Sequence, residues 1–316
     1  MTAKTERKRR EWRDLHGILL LDKPLGISSN QALQRARRAV SARKAGHTGS
    51  LDPLASGMLP LCFGDATRVS QLLLDADKTY TAVAALGQAT STGDAEGEVT
   101  ESQPVPDRDL AGWQLIADGF AGDIDQVPPM YSALKHGGKR LYEIARKGQA
   151  VDRAPRRVTI RALTMTALQG DRLSMRVTCS KGTYIRTLIE DLAQAAGTVA
   201  HTAELRRETV APFEGPMHTL EALEALEPGV PLPDGWLLPV DAGLCEWPIV
   251  ALSDVDAARF CRGQRLGLGP GQNPGSVRVQ TESGLFLGTA TLEGTGRLAP
   301  SRVMAGACRT FGLKNQ

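Results

Sequence analysis

Short apolar runs and alternating apolar and polar positions recur along this chain. Residues 17–21 are a continuous apolar run that ends at an Asp-Lys-Pro turn, and residues 58–63 are a second run. Residues 78–87 and 173–179 instead place an apolar side chain at every second position. Because strand side chains point to opposite faces in turn, the alternating segments predict strands with one buried face, and the first run predicts a buried strand.

Two segments have the period of an α-helix. Ser28 and Gln31 have the spacing of a capping box, and apolar residues then recur on one face up to Val40, with the arginines largely on the other. After a Lys-Gly turn, apolar residues at the helical period over 185–192 predict a second helix that ends near Gly197.

The mixed order of these signals predicts an α+β fold. A doubly wound sheet would need regular β-α-β alternation, so we expect a mixed, mainly antiparallel sheet instead. Beyond about Pro248 the segments become short and glycine-rich, which is typical of a small barrel-like, β-rich domain. The predicted organisation is a disordered basic arm at 1–13, a large catalytic domain at 14–247 and a small domain at 248–316.

The segment 46–57 combines small residues with one acidic side chain, Asp52, among three glycines. Pro53 fixes its own φ and keeps Asp52 out of the helical region, so Asp52 lies on an extended or turn backbone. A solvated turn is the common interpretation of an isolated Asp-Pro pair. The apolar run that follows requires this loop to be held against the core, which favours a site that admits a bulky ligand.

Positive charge is clustered, although the formal net charge is only +3. Basic residues are concentrated within 4–13, 35–44 and 135–161. Each cluster alone is typical of a solvated face. Three clusters around the same segments favour a phosphate-binding surface, and therefore RNA as the partner.

Composition disfavours several other classes of protein. No apolar run approaches membrane-spanning length, and the basic N-terminus lacks the apolar core of a signal peptide. The five histidines are scattered without ligand spacing, so we expect no metal site. Five cysteines without a Cys-x-x-Cys pair predict reduced, buried thiols in a cytoplasmic protein.

The segment 46–57 resembles the catalytic loop of the TruB-type pseudouridine synthases, Gly-His-Thr-Gly-x-Leu-Asp-Pro-x-Ala-x-Gly. Further segments resemble motifs of this family and follow in the family's order: 21–29, 77–80, 126–135, 181–186 and 204–207. The resemblance covers roughly residues 16–316, and several ordered motifs are far more specific than one. It implies a bacterial stand-alone tRNA enzyme with an RNA-binding insertion at about 123–161 and a PUA-like C-terminal domain.

The resemblance also implies roles for individual residues. Asp52 is implied to be the essential catalytic carboxylate, and Arg186 to pair with it through a planar, two-donor contact in a dry pocket. Tyr80 is implied to lie against the target base and to take part in proton removal at C5. Four other residues are implied to bind the substrate or support the site: His47, Tyr184, Leu205 and Lys23.

The residues themselves leave alternatives at these positions. Arg186 opens a helix, where its charge meets the positive helix end, so we expect an anionic partner or a phosphate. Tyr80 and Leu205 also fit an ordinary core. Lys23 supports the catalytic loop or contacts a phosphate, and Asp94 is assigned a structural role.

The implied activity is isomerisation of uridine to pseudouridine at position 55, in the T loop of tRNA, by a monomer that needs no cofactor or protein partner. The Asp52 carboxylate can add to the sugar, add to the base or take a C2′ proton, and all three routes stay open.

Three alternative functions are weaker. A guide-RNA-dependent rRNA synthase would carry long basic tails, and the segment 123–161 resembles the insertion of the stand-alone enzymes. A non-catalytic tRNA-binding or folding protein would not need the set Asp52, Tyr80 and Arg186. A hydrolase with an aspartate nucleophile would need a second acid, a metal-binding motif or a His base near Asp52, and only His47 is near.

Overall fold

The computed structural model describes residues 11–132, 134–145, 147–149, 151–227, 230–269 and 273–312. Four residues are described by their backbone alone: Lys135, His136, Arg140 and Tyr142. Most of the predicted basic arm, residues 1–10, lies outside the described residues.

Helices are distributed along the whole described chain. They are α1 (Ser29–Ala39), α2 (Ala66–Val69), α3 (Leu110–Asp118), α4 (Leu141–Ala145), α5 (Ile185–Ala196), α6 (Leu220–Glu224), α7 (Asp254–Cys261) and α8 (Ala305–Cys308), with single 3-10 turns at Ala242–Leu244 and Arg309–Phe311.

The strands fall into two large sheets and two hairpins. They are β1 (Gly17–Lys23), β2 (Ala45–His47), β3 (Ala55–Phe63), β4 (Lys78–Leu86), β5 (Gln88–Thr90), β6 (Val99–Ser102), β7 (Gly122–Gln126), β8 (Lys135–His136), β9 (Lys139–Arg140), β10 (Arg156–Gln169), β11 (Arg172–Cys179), β12 (Ala200–Val210), β13 (His218–Thr219), β14 (Ile249–Leu252), β15 (Leu266–Gly267), β16 (Gly275–Thr281), β17 (Phe286–Leu292) and β18 (Arg297–Val303).

The larger sheet has the order β13-β1-β3-β12-β4-β11-β10-β7, and β2 pairs with the last residues of β3, beyond the part of β3 that pairs with β12. Only the β1–β13 and β3–β12 pairs are parallel, and the other pairs are antiparallel. The predicted mixed, mainly antiparallel α+β sheet is therefore confirmed.

The local signals of the two predicted helices are present. The backbone N–H of Gln31 donates to the Ser28 hydroxyl at 3.2 Å, and the Gln31 side chain accepts from the Ser28 N–H at 2.8 Å. This capping box starts α1. Helix α5 ends at Gly197, whose φ of +83° is the left-handed conformation that glycine adopts without steric cost.

Helices cover both faces of the large sheet. The apolar face that the sequence predicts for β4 includes Ala82 and Ala84, and it packs against Leu188 and Leu192 of α5. On the same face, α1 and α6 pack against β1 and β3, and α2 packs on the other face. Because α5 begins beside the central strands, its first residues reach the end of the sheet where the 48–54 loop lies.

The predicted insertion is partly sheet. Residues 122–126 and 156–160 pair with each other as β7 and β10 of the large sheet. The excursion away from this sheet is therefore the shorter segment 127–155.

The C-terminal sheet has the order β14-β16-β17-β18-β15 and its own core, which includes Phe260 and Val279. It also packs on the rest of the protein, because the buried Met304 shares a cluster with Ile18 and Leu20 of β1. Deleting residues 250–316 would therefore expose core surface of the larger domain. Point substitutions therefore test the roles of the two domains better than a truncation, which would also disturb the fold of the larger domain.

The cysteine prediction is partly wrong. Cys62 and Cys179 are buried thiols, and burial raises their pKa values to about 12 and about 11. Cys245 is exposed, and Cys261 is joined to Cys308 in a disulfide with the Cα atoms 5.5 Å apart. The 47-residue separation of the bonded pair explains why no local motif indicates it.

Candidate active site

A cavity of about 630 Å³ opens where the 49–52 loop, β4, β12 and the start of α5 meet. Its walls contain six of the seven residues that the sequence predicts for the site: His47, Asp52, Tyr80, Tyr184, Arg186 and Leu205. The seventh, Lys23, lies outside this lining. Residues separated by more than 150 positions in the chain thus share one pocket.

The backbone on both sides of Asp52 is held by the first motif. The Ser29 hydroxyl accepts from the Leu51 N–H at 2.7 Å and lies 3.0 Å from the Leu51 carbonyl oxygen. The Gly26 N–H donates to the Pro53 carbonyl at 2.9 Å. These bonds fix the loop that carries the carboxylate, as the apolar run after it predicts.

Lys23 supports this arrangement from inside the protein. Its side chain is fully buried, and its ammonium donates to the carbonyls of Pro24 and Ile27 at 2.8 and 2.7 Å. Burial lowers the pKa of Lys23 to about 8, against the opposing effect of Asp52. Lys23 therefore fits the support role, and a direct phosphate contact does not fit its position.

Arg186 lies 2.8 Å from Asp52, measured from Nη2 to Oδ2. The same guanidinium donates to the Thr92 and Tyr131 carbonyls, both at 2.7 Å, and its Nη1 is 3.8 Å from the Asp94 carboxylate. The expected anionic partner is present, but the expected two-donor contact to Asp52 is wrong. The guanidinium instead contacts one oxygen of Asp52 and two carbonyl oxygens, and it lies near the Asp94 carboxylate.

The pocket is also more open than the resemblance implies. The Arg186 side chain is only 5% exposed, whereas the Asp52 side chain is 44% exposed. The cation is thus the buried member of the pair, and the carboxylate faces the cavity where a substrate can reach it.

Gln126 is a positioning residue that the sequence did not single out. Its side chain is buried, accepts from the Tyr184 N–H at 3.0 Å and donates to the Tyr184 carbonyl at 3.3 Å. Tyr184 is the N-cap residue of α5, directly before Ile185 and Arg186. Gln126 is the first residue of the segment 126–135 that resembles a family motif, and this position was the sequence signal that could have identified it.

Tyr80 and Leu205 lie on neighbouring strands, with Leu205 opposite Ala82 in the β12–β4 register. Both are nearly buried and line the cavity. Burial raises the pKa of Tyr80, and the guanidinium of Arg207 opposes this increase. At neutral pH the side chain is therefore an uncharged phenol.

Arg207 is a second residue that the sequence missed. It is almost fully buried, and its guanidinium donates to the carbonyls of Met58, Gly49 and Ser50 at 2.7, 3.2 and 3.4 Å. It therefore holds the catalytic loop at Gly49 and Ser50, whereas Ser29 holds it at Leu51. A Cβ atom at Gly57, where φ is +100°, would lie 2.2 Å from the Arg207 carbonyl oxygen, so only glycine fits there.

His47 borders the same cavity. Burial, together with the positive charge of Arg207, lowers the pKa of His47, so the imidazole is neutral at pH 7. Its Nδ1 is buried without a hydrogen-bond partner among the described residues. In those residues, no group of three or more His, Cys, Asp or Glu side chains is arranged to hold a metal ion.

Two arginines of the basic cluster 35–44 have partners within the protein. Arg35 forms a two-donor contact with Glu224 at 2.8 and 2.6 Å. Arg37 donates to the Ala42 and Arg43 carbonyls and lies over the Trp12 ring. These two side chains are therefore held by contacts within the protein, and the prediction that the cluster faces RNA rests on its other members.

Family models match most of the chain. The model described as TruB family pseudouridylate synthase (N terminal domain) matches residues 37–185. The tRNA pseudouridylate synthase B C-terminal domain matches 186–244, and the model described as Pseudouridine synthase II TruB, C-terminal, matches 248–304.

Solved structures with the same fold include an H/ACA RNP bound to a substrate RNA containing 2′-deoxyuridine. It has 22% sequence identity and a TM-score of 0.67 over 92% of this chain and 85% of that chain. The archaeal box H/ACA sRNP Nop10–Cbf5 complex has 23% identity and a TM-score of 0.68, over 96% and 90%.

Curated relatives are much more similar in sequence. The tRNA pseudouridine synthase B of Stutzerimonas stutzeri (strain A1501) is 52% identical over 92% of this chain and 96% of its own length. That of Burkholderia lata (strain ATCC 17760) is 50% identical over 97% and 95%. With this identity over nearly the full length of both chains, the protein belongs to the TruB family of pseudouridylate synthases.

Proposed function

We propose that the Asp52 pocket converts the uridine at position 55, in the T loop of tRNA, to pseudouridine. Isomerisation of uridine in tRNA is supported by curated relatives about 50% identical to this chain, which are named tRNA pseudouridine synthase B. The family assignment makes the protein an isomerase. The order of motifs that resembles the stand-alone enzymes supports the T loop as the target.

The observation that carries this proposal is the exposed Asp52 carboxylate held by a buried Arg186 at 2.8 Å. In the reaction the N1–C1′ bond breaks, C5 bonds to C1′, a proton leaves C5 and N1 gains one. A charged pair with its acid facing the cavity is suited to act at C1′, at the base or at C2′.

The surroundings of the pair fit a flipped nucleotide. The 630 Å³ cavity has the size of ordinary ligand sites, and Tyr80 and Leu205 form its apolar wall. A base in the folded T loop has to leave its stack to enter, at a cost of about a few kcal/mol. The position of His47 in the cavity lining supports a role in holding the RNA left behind.

The alternatives remain weaker. The similarity to H/ACA structures is below 25% identity and therefore concerns the fold, so it does not favour a guide-RNA-dependent rRNA synthase. The pocket contains Asp52, Tyr80 and Arg186 together, which disfavours a non-catalytic module. No second carboxylate is among the described residues that line the pocket, which disfavours an aspartate-nucleophile hydrolase.

The wider organisation is part of the proposal. We infer an arm at 1–13, a catalytic domain at 14–247 and a PUA-like RNA-binding domain at 248–316, in a cytoplasmic monomer that needs no cofactor. The last residue of the arm is held by the catalytic domain, because the Arg13 N–H donates to the Ser41 carbonyl at 2.7 Å. Among the described residues, no helix is both long and apolar enough to cross a membrane.

Tritium release tests the activity directly. A tRNA transcript labelled with tritium at C5 of its uridines is expected to release the label of one uridine per molecule, and mapping of the product is expected to locate it at position 55. Release from another loop would contradict the T-loop assignment. A complete lack of release would contradict the enzymatic function.

Replacing Tyr80 with phenylalanine is expected to slow single-turnover pseudouridine formation by about 10²-fold or more, because the change removes the only hydroxyl that this residue presents to the base. The aromatic ring and the apolar wall remain, so tRNA affinity should not change. Rapid-quench kinetics and a binding titration separate the two effects. A wild-type rate would assign Tyr80 to packing alone.

A further inference from the structure

A second cavity, of about 610 Å³, lies between the two parts of the protein. We call it the junction cleft. One wall comes from residues 13–16, 43–44, 64–65 and 68, and the other comes from 261–262, 303, 305 and 308–309. None of these residues lines the Asp52 pocket.

The junction cleft is strongly basic. Six of its lining residues are Lys or Arg and two are Asp: Arg13, Arg43, Lys44, Arg68, Arg262, Arg309, Asp14 and Asp65. Both carboxylates have partners within the protein. Asp65 is buried and accepts from the Gly306 N–H at 2.6 Å, and Asp14 lies 3.6 Å from Arg43.

Four of the six cations have no carboxylate within 4.0 Å among the described residues: Arg13, Lys44, Arg262 and Arg309. Arg13 donates to the Val230 carbonyl at 2.7 Å, and the other three are exposed. The positive charge of the cleft is therefore not neutralised by the part of the protein that the structure describes.

Two of these cations directly follow the cysteines of the disulfide. Arg262 follows Cys261, Arg309 follows Cys308, and the bonded cysteines have their Cα atoms 5.5 Å apart. Both arginines also line the cleft, so its C-terminal wall contributes two positive charges.

His16 lines the floor of the cleft, and its Nε2 atom is buried. The Asp65 N–H donates to His16 Nδ1 at 3.0 Å, which leaves the proton of a neutral imidazole on Nε2. His16 Nε2 has no hydrogen-bond partner among the described residues. Gly306 packs closely against this floor, and a Cβ atom at this position would lie 2.7 Å from the Asp65 carboxylate.

One short strand connects the cleft to the Asp52 pocket. Lys44 in the cleft directly precedes β2, and His47 at the other end of β2 lines the pocket. At about 3.3 Å per residue the two positions are roughly 10 Å apart along the strand. An RNA strand that passes His47 is therefore close to the mouth of the cleft.

We propose that the junction cleft binds backbone phosphates of the helical RNA adjacent to the loop whose uridine occupies the Asp52 pocket. This rests on the proposed T-loop substrate. Arg and Lys bind phosphates without reading the base, so the cleft contributes affinity and orientation rather than sequence selection. RNA helices are recognised in this way, through their shape and their phosphates.

The test compares two triple variants of the full chain. Lys44→Gln with Arg262→Gln and Arg309→Gln removes the three exposed cations of the cleft that have no carboxylate partner. Arg108→Gln with Arg265→Gln and Arg297→Gln removes the same charge from exposed positions outside it. Dissociation constants for a full-length tRNA transcript are measured over a range of salt concentrations.

For the cleft variant, the slope of log affinity against log salt is expected to become shallower by about 2 to 3, because each phosphate contact contributes roughly 0.7 to 0.9. Affinity at 0.1 M salt should fall by about tenfold or more. The control variant should retain the wild-type slope. The charge-keeping variant Lys44→Arg with Arg262→Lys and Arg309→Lys should restore it, which excludes misfolding as the cause.

Hydroxyl-radical footprinting of the same complexes locates the contact. The cleft variant is expected to lose protection in the helical segment next to the T loop and to keep protection of the loop. Equal slopes for wild type and cleft variant, or equal losses in the two triple variants, would overturn the proposal. Binding of inorganic pyrophosphate with an unchanged tRNA slope would assign the cleft to small anions instead.

Failure of the cleft proposal is distinguishable from failure of the proposed function. The tritium-release assay reports the modified uridine independently of the salt slope. A normal slope with normal product at position 55 would overturn only the cleft proposal.

Discussion

Replacing Asp52 with asparagine is expected to reduce pseudouridine formation by about 10⁴-fold or more while tRNA binding remains. The asparagine side chain has almost the same shape but provides neither a nucleophile nor a proton acceptor. Arg186 keeps its bonds to the Thr92 and Tyr131 carbonyls and its neighbour Asp94, so the pocket should stay folded. Single-turnover tritium release and a tRNA titration are the two measurements.

The change in tRNA affinity caused by Asp52→Asn also has an expected direction. Asp52 is half-exposed in the cavity, so removing its negative charge should leave tRNA affinity equal or slightly higher. Asp107→Asn makes the same charge change at an exposed position outside the pocket and serves as the control. Turnover by Asp52→Asn within tenfold of the wild-type rate would contradict the catalytic assignment.

Replacing Arg186 with lysine is expected to lower the single-turnover rate by about 10²-fold or more, although the charge is kept. The guanidinium contacts two carbonyls and Asp52 at once and lies near Asp94. A lysine ammonium is a single point and cannot reach all of these acceptors in one position. The Asp52 carboxylate then loses the contact that orients it.

The same substitution should also reduce stability. A buried carbonyl left without a donor costs about 1 to 3 kcal/mol, and urea unfolding measures this loss. Arg161→Lys, at an exposed ion pair with Asp77, is the control and should change neither the rate nor the stability. If Arg186→Lys matched the wild-type enzyme in rate, a planar side chain would not be required there.

Much of the local structure was predictable from the sequence, because its causes lie within a few residues. The capping box at Ser28 and the left-handed Gly197 are steric and hydrogen-bonding effects over one helical turn. The apolar alternation of β4 and β11 reflects the period of a strand. The Asp52-Pro53 pair predicted a rigid, non-helical loop, because a proline restricts the backbone of the residue before it.

The membership of the pocket was predictable for a different reason. Six of the seven residues came from motifs whose resemblance to a family already carries tertiary information, and the structure places them around one cavity. Lys23 is the exception, because a lysine in a turn motif has the same local signal whether its ammonium faces RNA or the interior.

The sequence by itself determined the strands β1, β4 and β11, the helices α1 and α5 and the non-helical backbone of Asp52, since these depend on neighbours along the chain. Only the tertiary structure decided which acceptors surround Arg186 and that Arg207 holds the catalytic loop. It also decided that Cys261 meets Cys308, which makes one wall of the junction cleft. A buried guanidinium or thiol takes its partners from segments that folding brings together, and sequence spacing contains no record of that proximity.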